Sequence, residues 1–425
     1  MVLPLIITIF LVLLIFIDFK KGFIVFGSFF FFLKYLAGVA NMSLFFICSC
    51  VLLLQALRNR KRHWIPIPKP ILYSSLLMSI GWLVTEFVSG YHNFMGWFNL
   101  VICSFVFPWL MWQYIDSSKV LIRFIKAFVI SFLIFVGYGI FQEVTHINPL
   151  FALLNSQYID DGSGSFRFGV FRINSLLQIS ATFGTFSICS FYIFWNLKNK
   201  ITRFERNVCL PHNRWITYRN LLVLAFVGAY CSATRSCYIM FVVVSLFLFM
   251  DKVDSDGSKR FVLYASLLLI GVLVYIIGFS NIIDPLISSI SNSAKGSSTD
   301  MRENQLEICL YWMKDSPIWG NGRNYIFQVV AIWDEEIYGA ESLWFRLLVD
   351  YGYVGCITYI LWVLSIFVVL WKYNRYYIAV PLALFIGKST SILMDVDFEY
   401  FLWMSIIIIK CHKYLFNYKI SIPKI

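Results

Sequence analysis

Apolar residues run along this chain in continuous blocks, without strand-like alternation. Clear examples are Ile71–Val88, Phe98–Ile115, Phe124–Phe141, Ile173–Leu197, Leu221–Cys231, Cys237–Met250, Phe261–Phe279 and Tyr351–Trp371. Most approach the ~17–25 residues that a helix needs to cross a hydrocarbon core. Inside hydrocarbon every backbone amide needs an internal partner, which leaves helices or closed barrels. Barrel strands would show short alternating segments, so the pattern predicts helices. Met1–Ile17 carries no basic leader and no small-residue cleavage site, and reads as a retained span. Gly22–Leu57, interrupted by Lys34, reads as two short helices. Counted this way, the chain holds about 12 spans.

Composition supports the same class. Hydrophobic residues make up 60% of the 425 positions and charged residues 14%, against about 25% charged in a soluble domain. The surplus apolar surface has to face lipid. The ten cysteines lie mostly within apolar blocks, without zinc-ligand or redox spacing, and read as small packing residues. Asp395, Asp397 and Glu399 alternate in a short turn and read as solvated acids, so no metal and no cofactor is expected. Lys388 lies within the apolar stretch Tyr377–Leu393, where it reads either as a functional cation or as one that snorkels.

The net charge of +12 would suit nucleic acid, but its placement argues otherwise. Lys and Arg gather in alternate loops: Arg58–Lys69, Lys198–Arg219, Lys252–Arg260, Lys372–Arg375 and the tail from Lys410 to Lys419. The positive-inside rule puts these loops in the cytoplasm. Anionic lipid is a sufficient partner for them, and no nucleic acid is needed. The loops between then lie outside. Two are long: Val144–Phe171, a smaller external loop, and Ser280–Ser342, which carries more acids than bases and many aromatics. Within the second, Asp300–Lys314 reads as an amphipathic helix. Asp300 would cap it, and Leu306, Cys309, Leu310 and Met313 would form its apolar stripe. Pro317, Gly320 and Gly322 end it, and the Ser-rich tract Ser288–Ser298 reads as a hinge. The expected fold is an all-α integral membrane protein. It is one polytopic helical bundle over residues 1–425, with a large external loop between late spans.

Three stretches carry a resemblance. Thr299–Tyr325, TDMRENQLEICLYWMKDSPIWGNGRNY, resembles the Arg-led helix and "DxPxxGxG" turn of the O-antigen ligase/polymerase superfamily. Ala340–Gly355, AESLWFRLLVDYGYVG, is similar to the family segment that re-enters the membrane through "YGxxG". Cys231–Phe241, CSATRSCYIMF, resembles the family's junction between two spans. The resemblance implies a membrane glycosyltransferase working at the outer face of the inner membrane on undecaprenyl-diphosphate-linked glycans, both donor and acceptor. A flippase and a chain-length regulator are the implied protein partners. The ligase branch resembles itself in a histidine at the start of the re-entering segment. Here that place reads Ala340-Glu341-Ser342, and Ser280–Ser342 holds no histidine. This favours a polymerase of O-antigen-type repeats. A ligase to lipid A core and a flippase of lipid-linked oligosaccharide are the alternatives.

A diphosphate leaving group concentrates negative charge, and preorganised cations stabilise it as it departs. Arginine suits the task because its planar fork binds two phosphate oxygens and stays ionised. The expected diphosphate-binding residues are Arg172, Arg235, Arg323 and Arg346, with Arg302 as a catalytic cation matching the family's loop arginine. Arg323 and Arg346 have a blander reading, as partners of Asp334–Glu336 or Asp350. Glu341 stands where the family places its catalytic side chain, and is the expected general base for the attacking hydroxyl. Arg167, His92 and His146 read as loop residues.

Overall fold

A computed structural model describes residues 2–33, 43–58, 64–150, 166–167, 170–177, 179–201, 208–211, 215–254, 299–334, 337, 342–389 and 397–416. The helices follow the apolar blocks. They are α1 (Val2–Ile17), α2 (Phe19–Ser28), α3 (Phe30–Leu33), α4 (Leu44–Arg58), α5 (Lys69–Val88), α6 (Phe94–Val101) and α7 (Phe107–Tyr114). Next come α8 (Ser118–Thr145), α9 (Ser180–Lys200), α10 (Tyr218–Cys231), α11 (Arg235–Asp254), α12 (Thr299–Met313), α13 (Leu343–Tyr373), α14 (Ala379–Ser389) and α15 (Asp397–Cys411). Among the described residues the only strands are β1 (Phe166–Arg167) and β2 (Val170–Phe171), an antiparallel pair. Five helical stretches are long and apolar enough to cross a membrane: Lys69–Val88, Phe94–Tyr114, Ser118–Thr145, Ser236–Asp254 and Leu343–Tyr373. The protein is a multi-pass helical membrane protein. The expected span Phe261–Phe279 and the hinge Ser288–Ser298 lie outside the described residues.

The bundle packs on aromatic rings and small polar side chains, while aliphatic residues such as Ile80, Val223 and Val242 face outward. Phe31 stacks on Tyr400 at 4.4 Å, Phe30 lies parallel to Trp403 at 5.8 Å, and Phe186 meets Phe31 and Phe128 edge-on. Lipid is as apolar as Leu, so helix association in a bilayer relies on close packing and interhelical hydrogen bonds. The α5–α13 seam shows this. Ser74 pairs with Ser365 at 2.7 Å, Trp362 Nε1 donates to Ser75 Oγ at 3.0 Å, and Trp82 Nε1 donates to Thr358 Oγ1 at 3.2 Å. Helix α9 is long enough to span but falls outside the apolar five, and most of its residues are buried, among them Ser180, Thr182, Thr185, Ser187 and Ser190. A central helix meets protein on every side, so lipid places no demand on its composition.

The two ends of the bundle keep the expected alternation. At the end of the basic loops, Lys410 Nζ donates to the Trp112 carbonyl at 2.6 Å, Lys200 pairs with Asp251 at 2.6 Å, and Arg375 pairs with Asp254. At the opposite end α5 meets the loop after α12, and Ser342 meets Ser389.

Four expectations change in detail. The block Ile173–Leu197 becomes helical only at Ser180, because its first residues are held in an irregular path by side-chain amides. The block Phe98–Ile115 contains a π turn, Ile102–Val106, where Phe107 N–H reaches back to the Ile102 carbonyl. Pro108 comes next and has no N–H to give to Ser104. A helix, α12, stands at the expected place, but it already includes Thr299, so Asp300 lies inside it and is not its cap. Its apolar stripe is also split. Cys309, Met313 and Gln305 are buried, whereas Leu306 and Leu310 are 39% and 44% exposed. The buried face of α12 is therefore set by the elements packed against it and not by hydropathy.

Candidate functional site

The loop after α12 and the start of α13 form one interlocked unit. Helix α13 breaks at Gly352, whose φ of 59° and ψ of −155° lie outside the helical region. A break strands N–H groups on one side and carbonyls on the other. The loop satisfies both. Tyr353 N–H donates to the Pro317 carbonyl at 3.0 Å and Val354 N–H to the Ile318 carbonyl at 3.1 Å. In return Asn321 N–H donates to the Val349 carbonyl at 3.0 Å and Gly322 N–H to the Asp350 carbonyl at 2.9 Å. Gly320, with φ of 76°, faces Gly352 so closely that a Cβ on it would lie 2.5 Å from Gly352 N. The "DxPxxGxG" turn and the "YGxxG" break are two halves of one device.

Two buried carboxylates hold this loop. Glu86, on the last turns of α5 and 0% exposed, accepts Arg323 N–H at 2.8 Å and Asn93 N–H at 2.6 Å. Asp350 accepts Asn324 N–H at 2.9 Å and Ile326 N–H at 3.0 Å. Asn93 Nδ2 donates to the Arg323 carbonyl at 3.3 Å, and Thr85 Oγ1 to the Trp319 carbonyl at 2.8 Å. Tyr91 lies near both acids: burial pushes its phenol up, and the charges of Asp350 and Glu86 push the same way. Within α12, burial drives the Cys309 thiol up to about 12, with a smaller push from Asp350.

Four of the six predicted residues fall into two places. Arg323 and Arg346 meet in the interlocked unit, 2% and 5% exposed. Arg323 donates to Tyr351 Oη at 3.2 Å, and the Tyr351 ring stacks on Trp82 at 4.0 Å. Arg346 donates through Nε to Asp350 at 3.2 Å and also to Asn324 Oδ1. Both side chains are thus engaged within the loop's frame, and Arg346 has the Asp350 partner that its blander reading named. Arg302 sits in the first turn of α12. Glu341 lies outside the described residues.

Arg172 and Arg235 belong to a second place, where the 171–179 segment crosses the ends of α8 and α10. Phe171 N–H donates to Glu143 at 3.3 Å, Ile173 N–H to the Cys231 carbonyl at 3.2 Å, and Ser180 pairs with Thr234 at 3.3 Å. Arg172, half-buried, is therefore carried beside the junction that leads into Arg235 at the start of α11. Side-chain amides shape this segment. Asn174 Oδ1 accepts from Gln142 at 3.1 Å and from Asn148 at 2.8 Å, while Ser175 N–H donates to Gln142 at 2.9 Å. Irregular backbone at membrane depth persists only where protein satisfies it or it lines a cavity, and here protein satisfies it.

Sequence reasoning missed Glu86, Asn93, Gln142, Asn148 and Asn174. Glu86 carried a usable signal, an acid inside an otherwise apolar run. The amides carried none, since a lone Asn or Gln near a helix end is ordinary. His92 also gains a place: its Nδ1 lies 2.7 Å from the Glu86 carbonyl. A carbonyl can only accept, so Nδ1 carries a proton in this bond.

Residues 221–360, about a third of the chain, match the family model described as O-antigen ligase. No curated protein matches the chain. The matched range contains the 231–235 junction, α12, the interlocked loop and the break at Gly352. Glu86 and the amide cluster of the second place come from outside it. The match falls on the same three stretches that carried the resemblance, so over residues 221–360 this multi-pass protein is similar to the O-antigen ligase family.

Proposed function

We propose that this protein is an O-antigen-type polymerase. In this reading it transfers a growing glycan from undecaprenyl diphosphate to a fresh lipid-linked repeat unit, at the outer face of the inner membrane. The observation that carries the reading is the loop of residues 315–326 locked into the break of α13, inside the family-matched range and at the end away from the basic loops. The bundle has about 12 spans in a GT-C-like arrangement. A flippase supplies its substrate and a chain-length regulator acts beside it.

In the transfer an acceptor hydroxyl oxygen bonds to the donor's anomeric carbon. The bond from that carbon to the diphosphate oxygen breaks, and the hydroxyl proton passes to a base. Arg172, Arg235 and Arg302 meet the departing diphosphate, the role that the charge of the leaving group demands. Arg323 and Arg346 act as positioning residues, since their side chains are buried and engaged with Tyr351 and Asp350. Glu341 is the proposed base, and the chemistry uses no metal. His92 is a second reading for the base, favoured by the bond of its Nδ1 to the Glu86 carbonyl, which holds the ring beside the loop's frame.

The test is deletion of the gene in its native host, with surface glycans sized on a gel and variant copies returned. Collapse of the ladder to core plus one repeat identifies a polymerase. Loss of all repeats from the core, with glycan left on the carrier lipid, identifies a ligase. An unchanged ladder ends the glycosyltransferase reading. Glu341→Gln and His92→Ala, each returned alone, separate the two bases.

A further inference from the structure

A cavity of about 450 Å3 lies between α5, the α6–α7 rod and α15. That volume is within the ~300–1,000 Å3 of ordinary ligand sites. Its lining follows α5 from Pro68 to Leu83, about 22 Å of helix at 1.5 Å per residue. It therefore runs through most of a hydrocarbon core about 30 Å thick. The π turn makes one wall, with Phe105, Val106 and Pro108 beside the cavity. On the rim Leu72, Leu76 and Ile80 are exposed, so the groove opens sideways towards lipid.

The lining is hydrocarbon in character even where it includes hydroxyls. Ser75 Oγ accepts from Trp362, Ser79 Oγ donates to the Ser75 carbonyl at 2.8 Å, and Ser405 Oγ donates to the Phe401 carbonyl at 2.5 Å. Sugars and headgroups would find little to bond there. Trp97, Phe105, Trp109 and Trp112 offer flat aromatic surface, which packs well against the planar alkenes of an isoprenoid chain. One end of the groove also reaches the candidate site. Trp97 Nε1 donates to the Ser79 carbonyl at 2.9 Å, and the adjacent Gly96 is pressed against Arg323, where a Cβ would come within 2.8 Å of Arg323 Cδ. Glu86 lies one helical turn beyond Leu83.

We propose that this groove holds the polyprenyl tail of the lipid-linked substrate and brings its headgroup out beside the loop of residues 315–326. The proposal rests on the lipid-linked glycan reading above and adds to it the path of the tail. A groove open to the bilayer lets a long chain enter from the side, and continuity with the loop sets where the headgroup emerges.

The test uses the full chain in lipid nanodiscs and a polyprenyl diphosphate with a photoreactive group in its tail. Labelled peptides are mapped by mass spectrometry, and glycan transfer is assayed on the same preparations. The expected labels fall on residues 67–83 and 97–109, and unlabelled polyprenyl diphosphate removes them while phospholipid does not. Leu76→Trp, which fills the groove from its rim, should cut labelling there and raise KM about tenfold, the loss of roughly two buried methylenes, with kcat little changed. Val223→Trp, on the outward face of α10, should change neither. Labels spread evenly over outward-facing helices, or displaced equally well by phospholipid, would overturn the groove and leave transfer standing. Specific groove labelling in a protein that transfers no glycan would support the groove and sink the enzyme reading.

Discussion

Replacing Glu86 by Gln removes a charge without changing size, and the consequence can be worked from the geometry around it. Both carboxylate oxygens of Glu86 accept backbone N–H groups, from Arg323 at 2.8 Å and from Asn93 at 2.6 Å. A glutamine has one accepting oxygen. Its amide nitrogen would face the second N–H, donor against donor. One charge-assisted bond is lost, about 1.5–3 kcal/mol, and the survivor weakens from charged to neutral, about 0.5–1.5 kcal/mol more. Together the loop of residues 315–326 loses about 2–4 kcal/mol of its attachment to α5, a 30- to 1,000-fold change at about 1.4 kcal/mol per factor of ten. The assay is amide hydrogen exchange by mass spectrometry on the solubilised protein. Peptides covering 89–96 and 317–326 should exchange faster by roughly that factor, while peptides from α8 keep their wild-type protection. Transfer activity should fall with the loop's order. Unchanged exchange in both peptides would show that Glu86 does not hold the loop, and would undo the account of the site's frame.

Three further predictions use other parts of the same unit. Gly320→Ala should lower the thermal midpoint in detergent sharply, since its Cβ would sit 2.5 Å from Gly352 N at a φ of 76°; normal stability would refute the interlock. Arg346→Ala leaves Asp350 buried without its cation and should cost about 3–5 kcal/mol. Arg346→Met combined with Asp350→Asn should regain part of this in the same melting assay, whereas a double variant no better than Arg346→Ala would show that the ion pair is not what is lost. Cys309, buried and with its thiol pushed up to about 12, should resist maleimide at pH 8 in the folded protein and react once it is denatured; ready labelling of the native protein would mean that α12 does not pack as described.

Hydropathy alone determined that this is a helical membrane protein, because lipid imposes one demand on every exposed turn and the apolar runs record it. Charge set an expected orientation by the positive-inside rule, and the contacts of Lys410, Lys200 and Arg375 gather at one end of the bundle. The motifs around Pro317, Gly320 and Gly352 were legible because backbone geometry leaves few residues able to take those turns. Where the sequence stopped informing was in the partnerships. It marked Arg172, Arg235, Arg302, Arg323 and Arg346 alike as outer cations, but only the tertiary structure divided them, sinking Arg323 and Arg346 into the loop's frame and bringing Arg172 beside the 231–235 junction. Only the fold showed that the start of the Ile173–Leu197 block is irregular, that Leu306 and Leu310 face outward, and that Glu86 serves a loop more than 200 positions away. The physical reason is common to these cases. Burial against lipid is a property of a residue and its neighbours in the chain, whereas satisfying a buried N–H depends on which distant side chain the packing delivers.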